Sequence, residues 1–310
     1  MDSIQNKESR SGLDNVELTF ADIFRQLWRK KLWIIAVTSI AAVCSVYYAV
    51  GLPNLYKAET YLVPTENKKE LNSQLGGIAA LAGMDLAGQR NENSKLALEV
   101  MQSRTFLGNF IRKYDIAPDI MAADSWDIET RKLSYNSSEY DVDLKKWFRT
   151  PTSPLRTSEP SEQELVDAFK DLLEVEVEPS NNLIKISIEY ISPDKASYWT
   201  NLLVSETNEF MRNRDISKAE RSISYLQQQM ENTSVSVIKT SLSSAIEEQI
   251  KVLTLANVEE EYVFTTLDKA VAPELKSKPK RALIVLMITF LAALISIFGV
   301  LFFGLKNKTS

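Results

Sequence analysis

Glu174 with Glu176, and Glu259 with Glu260, are the residues of this sequence whose spacing comes closest to catalysis. Two carboxyl groups facing each other across a sugar ring could serve as acid and base, or as acid and nucleophile, in glycoside hydrolysis. Their settings argue against that. The first pair occupies the wet face of an alternating strand, and the second lies on a solvated helix end. The chain has no histidine, the commonest general base and metal ligand. Serine and lysine are plentiful, but no nucleophile comes with a recognisable base. The stretch "LGGIAALAGMDLAG" (75–88) holds four of the nine glycines. It lacks the Lys followed by Ser or Thr that a phosphate-binding loop needs, so it reads as a small-residue segment that lets backbones approach. The expectation is a protein with no catalytic residues, no cofactor and no metal site.

A different chemistry sits at "KSKPKRALIVL" (276–286). Lys276, Lys278, Lys280 and Arg281, with Pro279, abut an uncharged run from Ala282 to Leu305. A second uncharged run covers Leu32 to Leu52. At about 1.5 Å per residue, either can cross a hydrocarbon core of roughly 30 Å. The first exceeds the apolar core of a signal peptide and ends at Gly51-Leu52-Pro53 without a cleavage site, so both are read as permanent anchors. The expected layout is a cytoplasmic segment 1–31, transmembrane helices at 32–52 and 282–305, an outer domain 53–281 and a tail 306–310. Arg25, Arg29, Lys30 and Lys31 precede the first run and only Lys57 soon follows it, which places the N-terminus in the cytoplasm. The 276–281 cluster points the other way, but long loops translocate largely regardless of charge. The sole cysteine, Cys44, lies inside the first run, so no intrachain disulfide is possible. The outer domain carries 28 basic and 36 acidic residues, a net of −8 that argues against nucleic acid.

The elements that would position these groups follow from periodicity. "VELTFADIFRQLWRKK" puts Leu18, Ile23, Phe24, Leu27 and Trp28 on one face of an interfacial helix. "YKAETYLVP" (56–64) alternates as a strand, and 94–116 has apolar residues at helical intervals. Residues 117–160 show little pattern, and "TPTSPLRTSEP" (150–160) reads as a surface connection. Ser161 and Glu164 form a capping-box signature ahead of "EQELVDAFKDLL". A hairpin follows, in which Leu173, Val175 and Val177 alternate with acids, "PSNN" turns, and Ile184, Ile186, Ile188 and Tyr190 alternate with polar residues. Ser192-Pro193 opens the longest helical pattern, reaching about residue 256. Ile216, Ala219, Ile223, Leu226 and Met230 form a narrow stripe along it, and the register breaks at "ENTSVSVIKT". Such a stripe serves either packing within the chain or contact with neighbouring copies. "EYVFTTLDKAVAP" (261–273) reads as a returning strand, so the arm must double back, by a turn near 232–237 or by an irregular return from one long helix. Ala41, Ser45 and Ala49 in the first run, and Ala292 and Ser296 in the second, are spaced for close helix packing or simply reflect abundant small residues. The expected fold class is an α+β domain, about 53–192 with 260–281, carrying an extended helical arm at about 193–259 and anchored by two transmembrane helices.

The order and spacing of these pieces resemble the Wzz chain-length determinants, which are bacterial polysaccharide co-polymerases. The resemblance rests on the two-run layout, "FRQLWRKKLWI", "LGGIAALAG", "SRTFLGNFI", "SPDKA" and the Pro/Lys segment before the second run. That family usually has more prolines there, whereas this chain has Pro273 and Pro279. The resemblance implies a ring-shaped homo-oligomer in the inner membrane with its large domain in the periplasm. It also implies that the ring sets the modal length of a lipid-linked glycan, such as O-antigen, made by a Wzy-type polymerase. On that reading Lys276, Lys278, Pro279, Lys280 and Arg281 contact membrane lipids at the outer leaflet, or the polymerase or glycan pyrophosphate. Ile216, Ala219, Ile223, Leu226 and Met230 are the oligomer-contact candidates. The rival reading is a two-span extracytoplasmic sensor signalling through a separate partner, which the 31-residue head and five-residue tail disfavour.

Overall fold

Alternation in "YKAETYLVP" produces a strand with one dry face. β1 (Tyr56–Pro64) buries Ala58, Thr60 and Leu62 and leaves Lys57, Glu59 and Tyr61 half-covered. The computed structural model describes residues 25, 27–65, 86–151, 153–180 and 182–306. Leu18, Ile23 and Phe24 of the expected interfacial helix, and residues 75–85 of the small-residue segment, lie outside them.

The described residues fall into two units. One holds the apolar helices α1 (Lys31–Gly51) and α8 (Arg281–Lys306), which pack together. Each is long and apolar enough to cross a membrane. Ser45 and Ala49 of the small-residue stripe are buried, and Ala292 and Ser296 half-buried.

The other unit runs from Pro53 to Lys278. It contains, in chain order, β1, α2 (Leu86–Met101), α3 (Arg104–Lys113), α4 (Ala117–Ala122), β2 (Ala123–Asp127), β3 (Lys132–Tyr135), β4 (Tyr140–Asp141), β5 (Lys146–Trp147), α5 (Glu162–Leu172), β6 (Leu173–Glu178), β7 (Leu183–Tyr190), α6 (Pro193–Asn232), α7 (Ser236–Val258) and β8 (Phe264–Asp268). Four strands form an antiparallel sheet in the order β6-β7-β1-β8. The β6–β7 hairpin has the alternation expected of it, with Val175 opposite Ile186 and Leu173 opposite Ile188. Asn182 sits in its turn at φ 53°, a left-handed conformation Asn tolerates better than most residues.

Three local expectations change. The helical pattern over 94–116 is two helices, because Ser103 has extended backbone and its hydroxyl accepts the Phe106 N–H, capping α3. The patternless stretch 117–160 contains α4 and two short hairpins. The returning strand covers only Phe264–Asp268, and the segment after it is irregular.

The core lies between the dry face of the sheet and the first half of α6. Ala196, Trp199, Leu203, Val204 and Met211 recur at helical intervals and are buried with Leu62, Ile186, Ile188 and Phe264. Trp199 packs on Tyr190 at 4.7 Å between ring centres and on Phe169 of α5 at 6.2 Å, and Phe169 meets Phe110 of α3. Full burial of each large apolar side chain contributes about 1.5–3 kcal/mol, whereas an isolated helix in water is marginal. Packing on the sheet therefore fixes where α6 begins, and Ser192 caps it there by accepting the Lys195 N–H.

Three polar side chains of α6, seven residues apart, hold the returning chain. Asn201 donates to the Ala270 carbonyl at 2.8 Å and accepts its N–H at 3.0 Å. Asn208, buried, donates to the Phe264 carbonyl and accepts the N–H groups of Val263 and Phe264, all at 2.9 Å. Asp215 accepts the Tyr262 hydroxyl at 2.9 Å. Beyond them α6 continues to Asn232, the chain turns at Thr233–Val235, and α7 runs back along it. Of the two ways of doubling back, the turn is the one adopted.

The capping box forms as the sequence implies. Ser161 and Glu164 exchange hydrogen bonds of 3.0 and 3.3 Å. Arg149 adds a two-pronged contact to the Glu164 carboxylate at 2.9 and 2.8 Å and donates to the Ser158 carbonyl at 2.8 Å, pinning the proline-rich connection. Held by Arg149, the Glu164 carboxyl drops from 4.5 to about 2.

Asn208→Ala would leave two backbone N–H groups and one carbonyl buried without partners. It should lower stability by roughly 2–4 kcal/mol, and Asn201→Ala, at a half-exposed site, by less; thermal melts of the detergent-solubilised chain would measure both. Because the Glu164 pKa is lowered in the folded chain, its ionised form stabilises the fold above pH 4.5, and that contribution is lost as pH falls from 4.5 towards 2. Urea midpoints followed across this window should decline, and Glu164→Gln should flatten the decline.

Candidate contact site at the base of the domain

The basic segment does not stand free. The Leu55 N–H donates to the Lys278 carbonyl at 2.9 Å, and the Ser277 N–H donates to the Leu55 carbonyl at 2.8 Å, a one-residue antiparallel bridge. Around it, the Lys276 ammonium donates to Asn54 Oδ1 at 3.2 Å. The Lys278 ammonium donates to Glu189 Oε2 at 2.6 Å, and the Ser277 hydroxyl donates to Glu189 Oε1. Glu189 projects from β7 and its side chain is only 15% exposed. The remaining candidates belong to the helical unit. Arg281 donates to the Leu52 carbonyl at 3.0 Å, and Pro279 accepts the Arg281 N–H as α8 begins. Lys280 is exposed, with no side-chain partner among the described residues. Sequence spacing grouped five residues as one cluster; the structure assigns Lys276 and Lys278 to the domain's own hydrogen bonds and leaves Lys280 exposed without a side-chain partner among the described residues.

The carboxylate pairs take structural places. Lys57 reaches Glu174 at 2.7 Å and, within its own strand, Glu59 at 3.4 Å, while Lys185 reaches Glu176 at 3.0 Å and Glu59 at 3.4 Å, a network of ion pairs spanning β6, β7 and β1 on the wet face of the sheet. The hydrogen bond from Lys57 holds the Glu174 carboxyl below its usual range. That is opposite to what a general acid requires. Glu259 and Glu260 follow the end of α7, where the Glu259 N–H closes the last turn on the Leu255 carbonyl.

On the arm, Ala219 is buried and Ile216, Ile223, Leu226 and Met230 are half-buried along the seam with α7. Ala256 is buried from the other side, with Leu242, Ile246 and Leu253 half-buried, and the Ser243 hydroxyl lies 3.6 Å from Met230 Sδ near the turn. The large apolar groups left in solvent are different ones: Tyr225, Val237, Ile238, Ile250, Leu255 and Val258. Ile238 and Ile250 share the apolar period of α7 with Leu242, Ile246 and Leu253, so periodicity alone does not separate seam from outer face.

Two groups of functional interest escaped the sequence reading. Glu189 sits on the polar side of an alternating strand, where nothing marks it off from Lys185 or Ser187. The spacing of seven in Asn201, Asn208 and Asp215 was a usable signal, one that apolar periodicity does not register.

Comparison with known proteins bears on this arrangement. No curated protein matches the chain. Among solved structures, a full-length bacterial polysaccharide co-polymerase is similar at 10% identity, with a TM-score of 0.41, over 94% of this chain and 99% of that one. Residues 16–114 match the family model described as Wzz, chain length determinant protein. The matched stretch takes in α1, β1, α2 and α3. Over residues 16–114, therefore, the chain is similar to the Wzz chain length determinant proteins.

Proposed function

We propose that this chain sets the modal length of a lipid-linked glycan, O-antigen or a similar polymer, as a non-catalytic oligomeric scaffold working with a Wzy-type polymerase. The match of residues 16–114 to the chain length determinant family carries this reading. It is the one observation that speaks to biological role rather than to shape.

Physical features support the arrangement. Two apolar helices bracket the Pro53–Lys278 unit, which fits a two-pass inner-membrane protein whose periplasmic domain runs from about 53 to 281. The cations at 25–31, against the single Lys57 soon after α1, favour cytoplasmic termini. The hairpin of α6 and α7 spends its buried stripe on itself and still exposes Tyr225, Val237, Ile250, Leu255 and Val258. A solvent-facing apolar set of that kind is what neighbouring copies in a ring would cover. The stripe from Ile216 to Met230 would then act indirectly, by keeping the hairpin stiff, with Ile223 and Leu226 half-accessible for contact.

Deleting the gene and resolving the surface glycan by electrophoresis tests the proposal. The expected result is a broadened or shifted ladder with unchanged sugar composition, restored when the gene is supplied in trans. A ladder identical to that of the parent strain contradicts it.

A further inference from the structure

The two ends of the Pro53–Lys278 domain are tied together, and one carboxylate holds the knot. Leu55, just before β1, bridges Lys278, the last residue of the domain. Glu189 Oε1 takes the Ser277 hydroxyl and Oε2 takes the Lys278 ammonium, so each oxygen is committed to the departing segment. Lys57, which lies opposite Glu189 in the strand register, is engaged elsewhere, by Glu59 and Glu174. Glu189 therefore depends on Lys278 for its counter-charge. The contact is short and charge-assisted, a class roughly twice as strong as neutral hydrogen bonds, with its Glu189 end largely covered and its Lys278 end exposed. Lys276 adds a weaker tie to Asn54 on the arriving side.

We propose that Glu189 is a positioning residue: by clasping Ser277 and Lys278 it fixes the spacing between the points where the chain joins and leaves the domain, and that spacing is needed for control of glycan length. The inference rests on the function proposed above and adds to it a specific device. It also assigns Lys278 to an intramolecular partner in place of a lipid phosphate.

The test uses the full-length chain in a strain lacking the gene, comparing wild type, Glu189→Lys, Lys278→Glu and the double swap. Two readouts are taken. The first is the glycan ladder. The second is in-membrane cross-linking, by a short bismaleimide, of cysteines introduced at Asn54 and Lys276 in a Cys44→Ser background. Both single variants should lose most of the cross-link, at least about three-fold, and shift the modal length, with expression and melting temperature near wild type. The double swap, which rebuilds the pair with its charges reversed, should recover both. Single variants that keep the cross-link overturn the clasp. Variants that lose the cross-link but keep the wild-type ladder overturn its role in length control. Failure of the double swap to recover the ladder means Lys278 works on an outside partner, which also overturns the proposal. If the strain lacking the gene already shows the parental ladder, the function proposed above fails, while cross-linking still decides whether Glu189 holds the ends.

Discussion

Pairing of β1 with β8 is the interaction on which the domain depends. Among the described residues β1 is the first strand after α1 and β8 the last before the segment leading to α8, and the two are neighbours in the sheet. The pairing is reinforced off the ladder. The Thr60 hydroxyl donates to the Asp268 carbonyl at 2.7 Å, the Thr65 hydroxyl to the Glu261 carbonyl at 2.9 Å, and the Thr65 N–H to the Val263 carbonyl at 2.9 Å. A contact between residues about two hundred positions apart closes only when what lies between is already compact, since loop closure must be met first. The core of Trp199, Phe169, Phe110 and Ile188 provides that compactness.

The same geometry explains why a 40-residue helix is stable here. Its first half is bound by the sheet, its polar heptad residues grip the returning chain, and its second half leans on α7. At about 1.5 Å per residue α6 extends roughly 60 Å, so small changes at its base become large displacements at its turn. Control of position at the base, where Glu189, Ser277 and Lys278 meet, is correspondingly consequential.

Much of this architecture was legible in the sequence, for identifiable reasons. The β6–β7 hairpin and β1 alternate cleanly because one face is dry, and Ser161 and Ser192 announce helix starts because a hydroxyl must satisfy exposed N–H groups there. The break at "ENTSVSVIKT" marked the turn between α6 and α7 because β-branched and hydroxyl residues lower helix propensity together. What escaped depends on partners distant in sequence. The β2–β3 and β4–β5 hairpins are short, and contacts such as Tyr140 against Trp147 at 4.7 Å leave no periodic trace. Asn208 looks like any polar residue on a helix until Val263 and Phe264 arrive beside it. Lys278, one residue from Pro279 and close to an apolar run, has the composition of a membrane anchor, and only the fold brings Glu189 to it.

The molecule that emerges spends its charged groups on holding itself in register: Lys57 and Lys185 on the sheet, Arg149 on Glu164, Lys278 on Glu189. Among the described residues the hairpin leaves Tyr225, Val237, Ile250, Leu255 and Val258 exposed, and on the function proposed above copies of the same chain would cover them. The most direct check is the native mass of the full-length protein extracted into lipid nanodiscs. The account requires one discrete assembly of several copies, persisting on dilution. A particle containing a single chain, in a preparation that still restores glycan length to a strain without the gene, would contradict it.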